Sequence, residues 1–190
     1  MERSVVFAGF GGQGLLFAGR ILARAAIKDG LEVFWIPSYG PEMRGGTAAC
    51  TVIVGSEEIG SPIVDDYDAV VAMNPPSLRK YGGKVRPGGL LIVNASLIAH
   101  RAGRHDLDEL RLPCTELAAR GGDDKLVSVV GLGALVGRLD LVTPESVCAA
   151  MEEASGGKRP EVLAADLGAF AAGLEAGRAV PFTSSVTRDG

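Results

Sequence analysis

The run Val5-Val6-Phe7-Ala8-Gly9-Phe10-Gly11-Gly12-Gln13-Gly14 limits the fold more than any other stretch of this 190-residue chain. Val5 to Gly9 is short, apolar and β-branched, and glycine ends it, which is the pattern of a buried strand. From Gln13 to Asp29 the period changes. Leu15, Ala18, Leu22 and Ala25 fall on one helical face, Arg20, Arg24 and Lys28 line another, and Gly30 supplies a stop. Val33-Phe34-Trp35-Ile36 reads as a second buried strand. Residues 5–36 thus make a βαβ unit, whose right-handed crossover implies a largely parallel sheet. The predicted fold class is α/β, a three-layer α/β/α sandwich.

Thr47 to Val54 alternates and predicts a third strand, with a hairpin turning at Gly55-Ser56-Glu57 into Glu58 to Pro62. Ala69 to Met73 is a further strand, after which Asn74 is placed to cap a helix with Pro75 at its first position. Pro87-Gly88-Gly89 turns the chain into a strand at Leu90 to Asn94, and a short strand is expected around Leu112-Pro113-Cys114. Leu126 to Arg138 is a nearly all-apolar helix whose Gly131, Gly133 and Gly137 imply close packing. Helices opened by Thr143-Pro144-Glu145 and by Pro160, the last running to about Ala176, complete a single domain at residues 1–177. Residues 178–190 are read as a polar tail, disordered or laid on a partner.

Composition narrows what such a domain does. Lys and Arg number 19 against 23 Asp and Glu, a formal charge of -4, so there is no footprint for nucleic acid or an anionic membrane. The apolar start is too short for a signal peptide, and Leu126 to Gly137 falls well short of the ~20 residues of a spanning helix. A cytoplasmic location is expected. Cys50, Cys114 and Cys148 are scattered and read as reduced structural thiols. They cannot alone build an iron–sulfur cluster, which usually takes about four thiolates. His100 and His105 read as solvated, and Asp65, Asp66 and Asp68 as capping and solvating the lead-in to a strand. No metal ligand set is expected.

Gly9, Gly11 and Gly14, with Gly12 and Gln13 among them, satisfy G-x-G-x-x-G between a strand and a helix. Free N–H groups at a helix start attract an anion, and glycines let a ligand come close. A tight turn needed only for helix–sheet packing is the other reading, and both stand. A dinucleotide site also needs an acid at the end of the second strand. Here that strand ends Ile36-Pro37-Ser38-Tyr39, and Glu32 lies at its beginning, so NAD is disfavoured.

A second motif follows directly: Ser38-Tyr39-Gly40-Pro41-Glu42-Met43-Arg44-Gly45-Gly46-Thr47. Loops at the carboxyl ends of adjacent parallel strands share one edge, so the two glycine-rich loops are expected to face one crevice. Arg44 adds a permanent planar cation, suited to a phosphate or carboxylate, or to an ion pair with Glu42. The candidate site is Gly9, Gly11, Gly12, Gln13, Gly14, Ser38, Tyr39, Gly40, Glu42, Arg44, Gly45 and Gly46.

Together the two motifs resemble gamma subunits of 2-oxoacid:ferredoxin oxidoreductases, of the 2-oxoglutarate or branched-chain type. The resemblance continues through Ile59-Gly60-Ser61-Pro62, Ala72-Met73-Asn74 and Pro87 to Asn94, closely over residues 5–94 and more loosely beyond. It implies the fold of domain III of pyruvate:ferredoxin oxidoreductases. It also implies a complex that oxidatively decarboxylates a 2-oxoacid, acylates coenzyme A and reduces ferredoxin. Thiamine pyrophosphate, Mg2+ and iron–sulfur clusters would lie in alpha, beta and ferredoxin-like delta partner subunits. This chain would carry no cofactor, no metal and no catalytic residue, and the isolated chain would be inactive. In agreement, Asp29-Gly30, Gly122-Asp123 and Asp189-Gly190 form no thiamine-site G-D-G motif. Two positions depart from the pattern: Ser128 and Asp166 stand where asparagine is usual. The beta subunit of indolepyruvate ferredoxin oxidoreductase shares G-G-Q-G and R-G-G, but Tyr39 to Met43 favours the gamma subunit. A nucleotide-binding regulator or an autonomous reductase are the readings from other classes.

Overall fold

In the computed structural model, which describes residues 1–39, 47–157 and 159–179, six strands form one sheet in the order β2-β3-β1-β4-β5-β6. They are β1 (Glu2–Phe10), β2 (Glu32–Tyr39), β3 (Thr47–Gly55), β4 (Tyr67–Ala72), β5 (Val85–Asn94) and β6 (Asp108–Leu112). Five run the same way. β3 alone is antiparallel to both of its neighbours, β1 and β2. The sheet is therefore largely parallel as expected, but β1 and β2 are not adjacent, because β3 inserts between them. The helices are α1 (Leu15–Lys28), α2 (Pro75–Tyr81), α3 (Cys114–Arg120), α4 (Val127–Arg138), α5 (Pro144–Ser155) and α6 (Pro160–Ala179).

Successive strand residues point to opposite faces, and the two faces bury unequal cores. Val5, Phe7, Cys50, Val52, Val71 and Ile92 belong to the larger cluster, with side chains of α1, α3, α4, α5 and α6. Val6, Ala8, Val70, Leu91 and Val93 form the smaller one, with Leu78 and Tyr81 of α2 and with Ile98 and Leu107 from the coil between β5 and β6. The three layers are present, but the second helical layer is thin. Asn74 caps α2 as expected, its Oδ1 accepting from the Ser77 N–H at 2.8 Å, with Pro75 leading the helix.

Other expectations are corrected. No hairpin forms at 55–57; residues 58–62 contain no strand, and β3 instead turns back against β2. The short strand lies at Asp108–Leu112, and Cys114 opens α3. Asp68 is not a solvated lead-in residue. It is buried, and its carboxylate accepts from Arg3 Nη1 and Arg86 Nη1 at 3.1 Å each, and from the Ser4 N–H at 2.8 Å. Those contacts tie the beginnings of β1, β4 and β5 together. α6 runs to Ala179, so Arg178 and Ala179 are helical rather than tail, and residues 180–190 lie outside the described ones.

α4 is buried from Val127 to Val136 because it packs on two sides. A Cβ on Gly131 would stand 2.5 Å from Met73 Cε and 2.8 Å from Val71 Cγ1, so this glycine lets α4 sit on the sheet. Gly133 and Gly137 face α6, which answers with Gly173 and Gly177 at the same spacing. A Cβ on Gly173 would overlap Val130 O, and one on Gly177 would stand 2.5 Å from Ala134 O. The reciprocal contacts are Gly133 with Phe170 O and Gly137 with Leu174 O. The pairing of 130 with 173 and 134 with 177 shows that the helices run parallel, backbone against backbone. At the far end the Arg138 guanidinium grips Asp108 through Nε at 2.6 Å and Nη2 at 2.8 Å, and its Nη1 donates to Gly177 O at 3.3 Å.

Charged contacts join α1 to α5. The Asp29 carboxylate accepts from the Thr143 N–H at 2.6 Å and Oγ1–H at 2.9 Å, and from the Ser146 hydroxyl. Desolvation opposes ionised Asp29, but these bonds outweigh it and hold its carboxyl below the usual range. Asp166 is the opposite case. Burial first, and the nearby Asp123 charge second, push its carboxyl above the usual range.

Three substitutions test this packing. Alanine favours a helix over glycine by about 1 kcal/mol. Gly168→Ala, with open space at its Cβ, is expected to raise the unfolding free energy in urea by up to that amount. Gly173→Ala is expected to lower it by about 1–3 kcal/mol through overlap. Because the folded Asp166 pKa is raised, ionisation costs stability above it. Asp166→Asn is therefore expected to stabilise the protein near pH 7, with the gain fading as pH falls through the raised value to the ordinary one near about 3.9. Urea melts across that range check the sign.

Candidate functional site: the crevice at the carboxyl edge of the sheet

Between β1 and α1 the chain makes a short loop whose glycines do different work. Gly14 has φ 76, the left-handed region, and a Cβ there would stand 2.9 Å from Lys125 O in the turn leading to α4. Gly9 also has no room: a Cβ would overlap Gln13 Oε1 and stand 3.0 Å from Met73 Cβ. For these two the packing reading of the motif holds. Gly11 and Gly12 are exposed, and an added Cβ would meet nothing within 4 Å. Gly12 needs its φ of 96. At Gly11 neither backbone strain nor space requires a glycine, so the fold does not account for it.

Gln13 braces the loop rather than starting the helix. Its Oε1 accepts from the Phe10 N–H at 2.7 Å, its own N–H donates to Phe10 O at 3.3 Å, and α1 begins at Leu15. The N-terminus of α1 has no side-chain cap and no acid in its first turn. Such an end carries a partial positive charge that no side chain of the first turn offsets.

The described ends of the second motif reach this edge by a route the sequence did not reveal. Phe10 lies opposite Thr47, and Tyr39 opposite Ala48. The connection between β2 and β3 therefore starts two strands away from the glycine loop and returns directly beside it. Ser38 is exposed, opposite Ala49. Gly40, Glu42, Arg44, Gly45 and Gly46 lie outside the described residues.

At the carboxyl ends of β4 and β5 lies a polar lattice. The Met73 N–H donates to Ala8 O at 2.8 Å, joining β4 to β1. Asn94, at the end of β5, donates through Nδ2 to Met73 O at 3.3 Å and to Thr115 Oγ1 at 3.1 Å, and its Oδ1 accepts from the Ser96 N–H at 3.3 Å. Ser96 Oγ accepts from the Thr115 N–H at 3.2 Å and donates to the Glu116 carboxylate. The Ser96 hydroxyl is the main reason the Glu116 pKa lies below the usual range. Asn74 Nδ2 and Ser128 Oγ are buried without a hydrogen-bond partner among the described residues. The sequence marked Asn74 as a cap and Ser128 as a departure; it gave no sign that Asn94, Thr115 and Ser96 would meet.

Burial pushes the Cys50 thiol up to about 12, partly offset by a hydrogen bond from Trp35, and it pushes Cys114 to about 12 as well. Such thiols stay protonated at neutral pH in the chain itself. Among the described residues no group of three or more His, Cys, Asp or Glu side chains is placed to hold a metal. Nor does any described helix have the length and apolarity to cross a membrane. His100 and His105 are exposed.

A largely parallel six-stranded sheet with helices on both faces and a glycine loop between its first strand and first helix defines an α/β domain. Residues 4–176 match the pyruvate ferredoxin/flavodoxin oxidoreductase family, and the chain belongs to it. It is 35% identical over 182 residues to 2-oxoglutarate synthase subunit KorC of Methanothermobacter marburgensis, covering 92% of this chain and 96% of that one. It is 40% identical over 135 residues to ketoisovalerate oxidoreductase subunit VorA of the same organism; that match covers 71% of this chain but only 28% of the relative's length. Among solved structures, the gamma subunit of a keto/oxoacid ferredoxin oxidoreductase from Geobacter sulfurreducens superposes with TM-score 0.80 at 28% identity, over 94% of this chain and 99% of that one.

The two kinds of glycine separate experimentally. Gly14→Ala is expected to cost about 1–3 kcal/mol in urea denaturation, through its backbone angle and Lys125 O. Gly11→Ala is expected to change stability by less than about 0.5 kcal/mol.

Proposed function

We propose that this chain is the gamma subunit of a multi-subunit 2-oxoacid:ferredoxin oxidoreductase, a supporting subunit without thiamine or iron–sulfur cofactors of its own. The observation that carries the reading is the match to a free-standing gamma subunit along nearly the whole length of both chains. In the complex, alpha, beta and ferredoxin-like delta subunits supply the thiamine pyrophosphate, Mg2+ and clusters that decarboxylate the oxoacid and pass electrons to ferredoxin. The VorA relative agrees with a large partner: the match covers 28% of that polypeptide, and in the proposed complex separate subunits would supply a body like the remainder.

The crevice is the part of this chain that would serve the reaction. The open N–H groups at the start of α1, the approach left free over Gly11 and Gly12, and the fixed charge of Arg44 suit the phosphates of coenzyme A. A partner's carboxylate is the duller ligand of the same chemistry. The chain's role is to bind and orient; no described side chain is arranged as a nucleophile or proton shuttle. The indolepyruvate-type beta subunit is the alternative within the family, disfavoured by Tyr39-Gly40-Pro41-Glu42-Met43.

The test is reconstitution with the neighbouring subunits. The isolated chain is expected to be colourless, metal-free and inactive, and to restore coenzyme A-dependent oxoacid oxidation when added to them. Arg44→Ala and the fold-neutral Gly11→Val are each expected to raise the Michaelis constant for coenzyme A about tenfold to a hundredfold, the worth of one charge-assisted contact. Weakened assembly with an unchanged constant would assign the crevice to a partner carboxylate. If neither quantity moves, the crevice reading is wrong; iron and sulfide in the isolated chain would overturn the subunit reading.

A further inference from the structure

Seven large apolar side chains are exposed among the described residues, and Phe34 and Trp35 of β2 and Ile27 of α1 are three of them. β2 is an edge strand, and its consecutive residues Phe34 and Trp35 point to opposite faces while remaining 41% and 38% exposed. Trp35 lies against α1, for a Cβ on Gly19 would stand 3.2 Å from its Nε1. Leu16, Arg20 and Ile27 lie on the side of α1 that carries Gly19, so they continue the Trp35 surface along the helix. Ile27 is 63% exposed, Arg20 stacks over Phe17 at 6.0 Å, and Arg24 is exposed one turn further on. α1 contains no acid to balance these arginines, and Lys28 at its end is already paired with Glu153.

This is the composition of an interface core: tryptophan, phenylalanine, isoleucine and arginine on a rigid strand and helix. Two occupants fit it poorly. Pro37 lacks an N–H, so a strand cannot simply extend the sheet across β2. A two-fold contact would bring the same arginines, Arg20 and Arg24, to the interface from both copies, with no acid of α1 to balance them. A different chain remains, with an apolar depression and carboxylates at its border. The VorA relative carries this domain within a polypeptide of which it is 28%. A domain found both fused and free needs a surface that holds the larger body when the covalent link is missing.

We propose that the margin formed by Phe34, Trp35, Arg20, Arg24 and Ile27 docks the larger subunit that corresponds to the remainder of that relative. The inference rests on the subunit reading above and adds the place and chemistry of contact. Trp35 is the only tryptophan in the chain, which makes it a reporter. The chain is labelled with 5-hydroxytryptophan, excited to the red of ordinary tryptophan, and co-assembled with the unlabelled subunits encoded beside it. Acrylamide quenching of the label is expected to fall at least threefold on assembly. Ile27→Asp and Arg20→Glu, both at exposed positions, are each expected to weaken assembly at least tenfold with the melting temperature of the free chain unchanged. An assembled complex with unchanged quenching overturns this inference alone. Absence of any complex overturns it together with the subunit reading. Protection of the label in the isolated chain, lost on dilution or in Arg20→Glu, would show a second copy as the occupant and overturn it too.

Discussion

The distance between the α4 and α6 backbones is the constraint on which the rest of this structure depends. Glycines at 133, 137, 173 and 177 let carbonyls of one helix sit where side chains of the other would begin. With α6 that near, α4 can also press Gly131 onto Met73 and Val71 of the sheet layer. The turn before α4 then reaches Lys125 O to Gly14, which fixes where α1 starts. Helix packing and the shape of the crevice are therefore one problem. Glycine costs each helix about 1 kcal/mol per position in propensity, and the gain is contact along two layers at once.

At the crevice the glycine-rich motif divides into residues the fold needs and a residue it does not. Gly9 and Gly14 are required by neighbours, Gly12 by its backbone angle, and Gly11 by nothing in the chain itself. That distinction is worth more than the motif, because G-x-G-x-x-G alone does not say which of its glycines faces a ligand. The reversed β3 begins at the same edge, where β2 ends. A helical crossover from β2 would have carried the chain away, whereas the short return into β3 brings Thr47 beside Phe10.

Much of this was legible in the sequence. The change of period between Val5 and Asp29 gave β1, the loop and α1, and the Asn74-Pro75 pair gave the start of α2. What was missed depends on contacts distant along the chain. An alternating run at Thr47 to Val54 marks a strand but does not name its neighbours, so the insertion of β3 between β1 and β2 stayed hidden. Gly55 suggested a hairpin, yet it is there because Glu57 O and Ile59 crowd its Cβ position. Asp68 looked solvated because its cationic partners, Arg3 and Arg86, lie 65 and 18 residues away. In the candidate site the glycine loop was readable because its rules are local. The lattice of Asn94, Thr115 and Ser96 was not, since it exists only once β5 and α3 are side by side.

The two rims of the sheet are held by different chemistry. At the amino rim, Asp68 sits between Arg3 and Arg86, whose side chains are about half exposed. At the carboxyl rim, neutral amides and hydroxyls and the backbone itself do most of the joining. Dissolved ions screen charge beyond about 8 Å at physiological strength and act most on exposed pairs. Neutral hydrogen bonds in a buried lattice scarcely respond to them. Ionic strength thus reaches this domain from one end, slackening the rim opposite the crevice while the crevice keeps its form.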